Sequence, residues 1–151
     1  MTLARVIASG CGCGYAPVAP GTAASLIAVL LGAGMALLSP LLLAAAALVA
    51  AVGGVWAIRA LKAHGDPGWI VIDEFAGQWI AMLGLVNGGI TPLGLLAAFA
   101  LFRLFDIWKP GPVGWADRWL TPAGVMADDV IAGAMAAALI VVGRWAWPGV
   151  I

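Results

Sequence analysis

The sequence predicts an all-α fold: a polytopic integral membrane helical bundle of about five transmembrane segments, with the amino terminus in the cytoplasm. Composition and pattern both lead there. Of 151 residues, 64% are hydrophobic and only 9% are charged, against roughly 25% charged in soluble domains. A mean hydropathy of +1.10 leaves too little polar surface to coat a water-facing domain of this size. The apolar residues also fall into runs separated by helix breakers, near the roughly 20 residues that a ~30 Å hydrocarbon layer requires.

The runs lie at 22–38, 40–58, 69–87, 92–108 and 124–147. Residues 1–10 offer one Arg, a very short apolar stretch and then glycines, which is no cleavable signal, so the runs read as permanent membrane segments. Pro20-Gly21 precedes the first and Ser39-Pro40 divides it from the second. The 22–38 run is short for a span, so a kinked unit or a partly inserted hairpin with 40–58 is an alternative. Asn87-Gly88-Gly89 ends the third run, and Thr121-Pro122 precedes the fifth.

Lys and Arg in short loops set orientation. Arg5, Arg59, Lys62, Lys109 and Arg118 fall on one side of such a bundle, and Arg144 on the other. The amino terminus is then inside and the carboxyl terminus outside. All seven acids, Asp66, Asp73, Glu74, Asp106, Asp117, Asp128 and Asp129, fall in cytoplasmic loops or within about two turns of cytoplasmic helix ends. Carboxylates are costly at membrane depth unless paired or metal-bound, which predicts one acidic site at the cytoplasmic face. Asp66 and Asp117, in loops, read as solvated surface acids.

The third run opens with Asp73-Glu74 and Gly77, and the fifth with Asp128-Asp129 and Gly133. Asp73 and Gly77, like Asp129 and Gly133, share a helix face, so each glycine lets a neighbouring backbone approach beside a carboxylate. Hard oxygen ligands from two helices suit Mg²⁺ bridging to a phosphate. Arg103 and Asp106, three apart, either neutralise each other or divide tasks, with Arg103 on a phosphate and Asp106 as metal ligand or base. Lys109 either joins them or snorkels to headgroups. Between Ser9 and Thr22, alternate glycines permit close backbone approach to a ligand, and Thr22 is placed to cap the first long helix.

Several function classes are excluded. A net charge of zero gives no basic patch for nucleic acid. Cys11 and Cys13 lack the further ligands of a zinc site and read as inert. Pro17 and Ala19 stand where a Cys-based phosphatase would need Arg. The eight Trp lie mostly near expected helix ends, as interfacial anchors.

Ala19-Pro20-Gly21-Thr22, Ile72-Asp73-Glu74-Phe75-x-Gly77, Phe102-Arg103-x-Phe105-Asp106-x-x-Lys109-Pro110-x-Pro112 and Asp128-Asp129-x-x-Ala132-Gly133 together resemble the phosphatidylglycerophosphatase A family. The resemblance spans nearly the whole chain, in order, although Ala23-Ala24 stand where a further glycine is expected. It implies a single membrane domain over 1–151 and a Mg²⁺-dependent phosphatase of the bacterial inner membrane. That enzyme removes the terminal phosphate of phosphatidylglycerophosphate to give phosphatidylglycerol. The expected catalytic residues are Asp73, Glu74, Asp106 and Asp129; the expected metal ligands are these four and Asp128. The expected substrate-binding residues are Arg103, Lys109, Thr22 and Ser9. The implied partners are the lipid substrate and the bilayer, with a homo-oligomer left open.

Among other enzymes, a CDP-alcohol phosphotransferase would need a longer Asp-Gly, Ala-Arg, Gly and double-Asp helix pattern that does not occur. Phosphohistidine lipid phosphatases need more than the single His64. The alternative from another class is a small transporter or scaffold with cation-binding carboxylates. An ion path would need polar groups deep in the helices, and the outer halves offer almost none.

Overall fold

Proline starts nearly every long helix of this chain, because its missing N–H is unneeded in a first turn and its fixed φ is already helical. Pro20, Pro40, Pro92 and Pro122 each open one, and Pro112 opens a short helix. The computed structural model describes residues 1–63 and 67–147 and contains no strand among them. Its helices are α1 (Leu3–Ala8), α2 (Pro20–Leu38), α3 (Pro40–Leu61), α4 (Ile72–Leu83), α5 (Pro92–Trp108), α6 (Pro112–Asp117) and α7 (Pro122–Ala146), with 3₁₀ turns at Cys13–Tyr15 and Val86–Gly88.

The all-helical expectation holds, and α2, α3 and α7 are long and apolar enough to cross a membrane. The first run is one continuous 19-residue helix, separated from α3 at Ser39. The third is helical over only 12 residues, a rise of about 18 Å. Its start is delayed because Val71 N–H bonds Ala8 O at 2.9 Å, which pins the preceding residues to the end of α1. The short helices α1 and α6 were not expected; six residues are too few to show an apolar period. His64 and Asp66 lie outside the described residues.

Thr22 does not cap α2. Ala19 is the cap residue, in a left-handed conformation, and Ala23 N–H already bonds Ala19 O at 3.0 Å, so Thr22 lies within the first turn.

The shortest long helix is the most enclosed. α4 packs against α2, α3, α5 and, most extensively, α7, burying Phe75, Ala76, Gly77, Gln78, Ala81 and Met82. The outer faces of α2, α3 and α7 expose Leu30, Leu37, Leu48, Val49, Val52 and Val142. A continuous apolar belt of this kind suits lipid as solvent, where small residues rather than hydrophobicity draw helices together. Trp56, Trp108, Trp115, Trp119, Trp145 and Trp147 are exposed, all but Trp56 within two residues of a helix end. Arg144 caps the far end of the bundle, with its Nη2 donating to Gly89 O at 2.7 Å and Nη1 to Leu85 O.

Candidate active site

Four helix ends converge at the other end of the bundle: the amino ends of α2, α4 and α7 and the carboxyl end of α5. In α4, Val71 occupies the cap, so Asp73 and Glu74 fall in the first turn, where the helix dipole favours negative charge. Glu74 N–H donates to Asp73 Oδ1 at 3.1 Å. In α7, Thr121 accepts from Gly124 N–H at 3.1 Å, and Asp128 and Asp129 follow in the second turn.

The expected glycine contacts are present. A Cβ on Gly77 would lie 2.5 Å from Asp129 O, and one on Gly133 2.2 Å from Gly77 O. With no side chain between them the two backbones touch. Asp73, Glu74 and Asp129 each then offer a carboxylate oxygen, and these atoms all lie within 4.8 Å of one another. Asp73 and Asp129 are only 5% and 3% exposed. Gly21, in the first turn of α2, closes a third side: a Cβ there would stand 2.2 Å from Glu74 Oε1.

Arg103 and Asp106 both neutralise each other and face the cluster. Arg103 Nη1 donates to Asp106 Oδ2 and lies 4.0 Å from Glu74 Oε1. The charges of Asp106 and Glu74 both act on Asp129. Asp106 therefore borders the three-acid group without belonging to it.

Asp128 faces elsewhere. Its Oδ2 accepts from Lys109 Nζ at 2.9 Å, and Lys109 also pairs with Asp117. Asp117 is thus engaged, not merely solvated as expected. Burial acts to lower the Lys109 pKa, but hydrogen bonds and charges from Asp117 and Asp128 outweigh it and leave the ammonium raised above its ordinary value. A permanently charged Lys109 thereby ties the end of α5 to α6 and α7. Ser9 is buried and committed to its own loop, donating to Val6 O at 3.3 Å and accepting from Gly12 N–H at 3.1 Å.

Sequence reasoning passed over Gln78. It is fully buried and lies four residues after Glu74, a spacing that places the two on one helix face. That spacing was the available signal.

Three buried or half-buried carboxylates at such separations repel unless protons or a cation neutralise them. Glu74 Oε2 is buried with no hydrogen-bond partner, which leaves it able to take a ligand. An all-oxygen donor set of this kind fits a hard divalent cation.

The chain is 33% identical over 149 residues to Escherichia coli phosphatidylglycerophosphatase A, covering 95% of this chain and 85% of that protein. It is 38% identical over 143 residues to the phosphatidylglycerophosphatase A of Haemophilus influenzae, covering 90% and 85%. It is also 40% identical over 147 residues, 93% and 92% of the two chains, to a Bacteroides thetaiotaomicron protein named as a candidate phosphatidylinositol-3-phosphatase. No solved structure matches it significantly. The profile of the family described as Phosphatidylglycerophosphatase A matches residues 6–144. That span holds every residue of the convergent site, and the chain belongs to the phosphatidylglycerophosphatase A family.

Proposed function

We propose that this protein hydrolyses the terminal phosphomonoester of phosphatidylglycerophosphate to phosphatidylglycerol and phosphate, with Mg²⁺ held by Asp73, Glu74 and Asp129. The observation that carries this reading is the cluster of those three carboxylates at the meeting point of α4 and α7. Membership of a phosphatase family supports it. The bound cation would polarise the phosphoryl group and offset the charge that develops on it.

The protein's own groups supply the rest. Arg103 binds phosphoryl oxygens through its planar fork, and Asp106 fixes the fork's orientation through their ion pair. A cluster carboxylate accepts the proton of an attacking water as its oxygen bonds phosphorus. The bond from phosphorus to the glycerol oxygen breaks, and that oxygen takes the proton back from the same carboxylate to become the headgroup hydroxyl. Thr22, beside Gly21, offers its hydroxyl and the amino end of α2 to the headgroup. Lys109 and Asp128 hold α5, α6 and α7 in register.

The acyl chains remain in the cytoplasmic leaflet of the bacterial inner membrane while the phosphate enters among the helix ends. Five spans with the amino terminus inside put the site at that face, and the distribution of Lys and Arg supports this topology. A second substrate, phosphatidylinositol 3-phosphate, is favoured by the name of the Bacteroides relative. It too carries a phosphomonoester on a lipid headgroup.

The test is phosphate release by the purified protein in detergent from each lipid, with Mg²⁺ and with chelator. Release from phosphatidylglycerophosphate that requires Mg²⁺ and exceeds release from the inositol lipid is expected. Release from neither lipid would overturn the phosphatase reading.

A further inference from the structure

Among the described residues, every buried side-chain nitrogen or oxygen without a hydrogen-bond partner belongs to Glu74, Gln78 or Arg103: Glu74 Oε2, both amide atoms of Gln78, and Arg103 Nε. Unpaired buried polar atoms are rare and costly in folded proteins, so each calls for a physical reason. Here they occur on three residues of one neighbourhood. Arg103 lies 4.0 Å from Glu74, and Gln78 follows Glu74 by one turn on the same face of α4. Side chains on a helix tilt toward its amino end, which in α4 is the end that carries Asp73 and Glu74.

The four atoms also specify what would satisfy them. Glu74 Oε2 and Gln78 Oε1 need donors or a cation, whereas Gln78 Nε2 and Arg103 Nε need acceptors. A phosphoryl group alone supplies only acceptors, and a metal alone only a Lewis acid. Water supplies both kinds, and at a phosphatase site the attacking water beside a phosphoryl group does so. Gln78 is fully buried, and an apolar residue of its size would fill the same space without the desolvation cost of an amide.

We infer that Gln78 is a catalytic residue of the hydrolysis, contacting both reactants: its Nε2 donates to a phosphoryl oxygen and its Oε1 accepts from the attacking water. A carboxamide does both without changing charge, which holds the water's oxygen in line with the bond to be broken. The water's proton leaves to a cluster carboxylate, and Gln78 returns unaltered. This rests on the phosphatase reading above.

The experiment compares wild type with Gln78→Met, similar in size and lacking the amide, and with Gln78→Glu, matched in shape but lacking the donor. For each we read kcat and KM on phosphatidylglycerophosphate with Mg²⁺, the unliganded melting temperature and its shift by inorganic phosphate with Mg²⁺, and Mn²⁺ binding by electron paramagnetic resonance. For Gln78→Met we expect an unliganded melting temperature at or above that of wild type, since no buried amide is left unpaired. Mn²⁺ binding should stay within about twofold, the phosphate-induced shift should vanish, and kcat should fall about 100- to 1000-fold, the scale of one lost polar contact to a transition state. Gln78→Glu should also lose the phosphate shift, through repulsion, and gives the answer should the Met variant fail to fold. Wild-type kcat and phosphate shift in either variant would overturn the role of Gln78 and leave the phosphatase reading standing. A wild-type protein that releases no phosphate would overturn both.

Discussion

Gly77 of α4 and Gly133 of α7 meet backbone to backbone: a Cβ on Gly133 would stand 2.2 Å from the carbonyl oxygen of Gly77. This contact sets the distance between the two helices that carry the acid pairs. The carboxylates at positions 73 and 129, each four residues before one of these glycines, are brought together as a consequence.

Gly133→Ala and Gly77→Ala should therefore separate α4 from α7. The neighbour in each case is backbone that cannot swing aside, and overpacking of this kind costs about 1–3 kcal/mol. Thermal unfolding in detergent should show the loss, with activity falling at least tenfold. Gly34→Ala is the control, because nothing lies within 4 Å of its Cβ position. Relief of a mid-helix glycine should leave that variant neutral or more stable by up to about 1 kcal/mol.

Asp73→Asn, Glu74→Gln and Asp129→Asn should each lower phosphate release by two orders of magnitude or more while the protein still folds, as expected when metal-assisted chemistry loses a ligand. Mn²⁺ affinity measured on the same samples should fall in parallel. Full activity in both Asp73→Asn and Asp129→Asn would remove the cluster from the mechanism.

Arg103→Lys keeps the charge and discards the fork. Because Arg103 serves Asp106 and faces Glu74 at once, a point charge cannot replace it. Turnover should fall about 10- to 100-fold at saturating Mg²⁺, whereas an unchanged rate would confine Arg103 to balancing Asp106.

Lys109→Met should act on stability more than on Mn²⁺ affinity. It leaves the buried carboxylate of Asp128 without its cation, and a buried charge that loses its partner costs about 3–5 kcal/mol. Asp117→Asn breaks only the more exposed arm of the same bridge and should cost no more than about 1 kcal/mol. Chemical or thermal unfolding of the two variants side by side decides this.

Topology is testable by labelling. With Cys11 and Cys13 replaced by Ser, single cysteines from Lys62→Cys and Trp115→Cys should be silent toward an impermeant thiol reagent added outside intact cells and should react in inverted vesicles. Labelling from outside would place the acid cluster away from the cytoplasm.

The sequence by itself determined the solvent of this protein and the residue types of its site. Apolar runs between prolines and glycines are local signals, so the helical bundle, the starts of α3 and α5, and the pairing of each acid with a glycine four residues later were all legible. Helix periodicity also placed Arg103 beside Asp106. What remained was decided by contacts between distant segments, which local periodicity does not encode. A hydrogen bond from Val71 to the end of α1 set the start of α4 at Ile72. The turn at Lys109 and the placement of α6 drew Asp128 into an ion pair and away from the cluster that Asp129 joins, although the two are adjacent in the chain. Successive residues on a helix point about 100° apart. Only the position of the neighbouring helices could decide which of the two carboxylates joins the acid cluster and which pairs with a lysine.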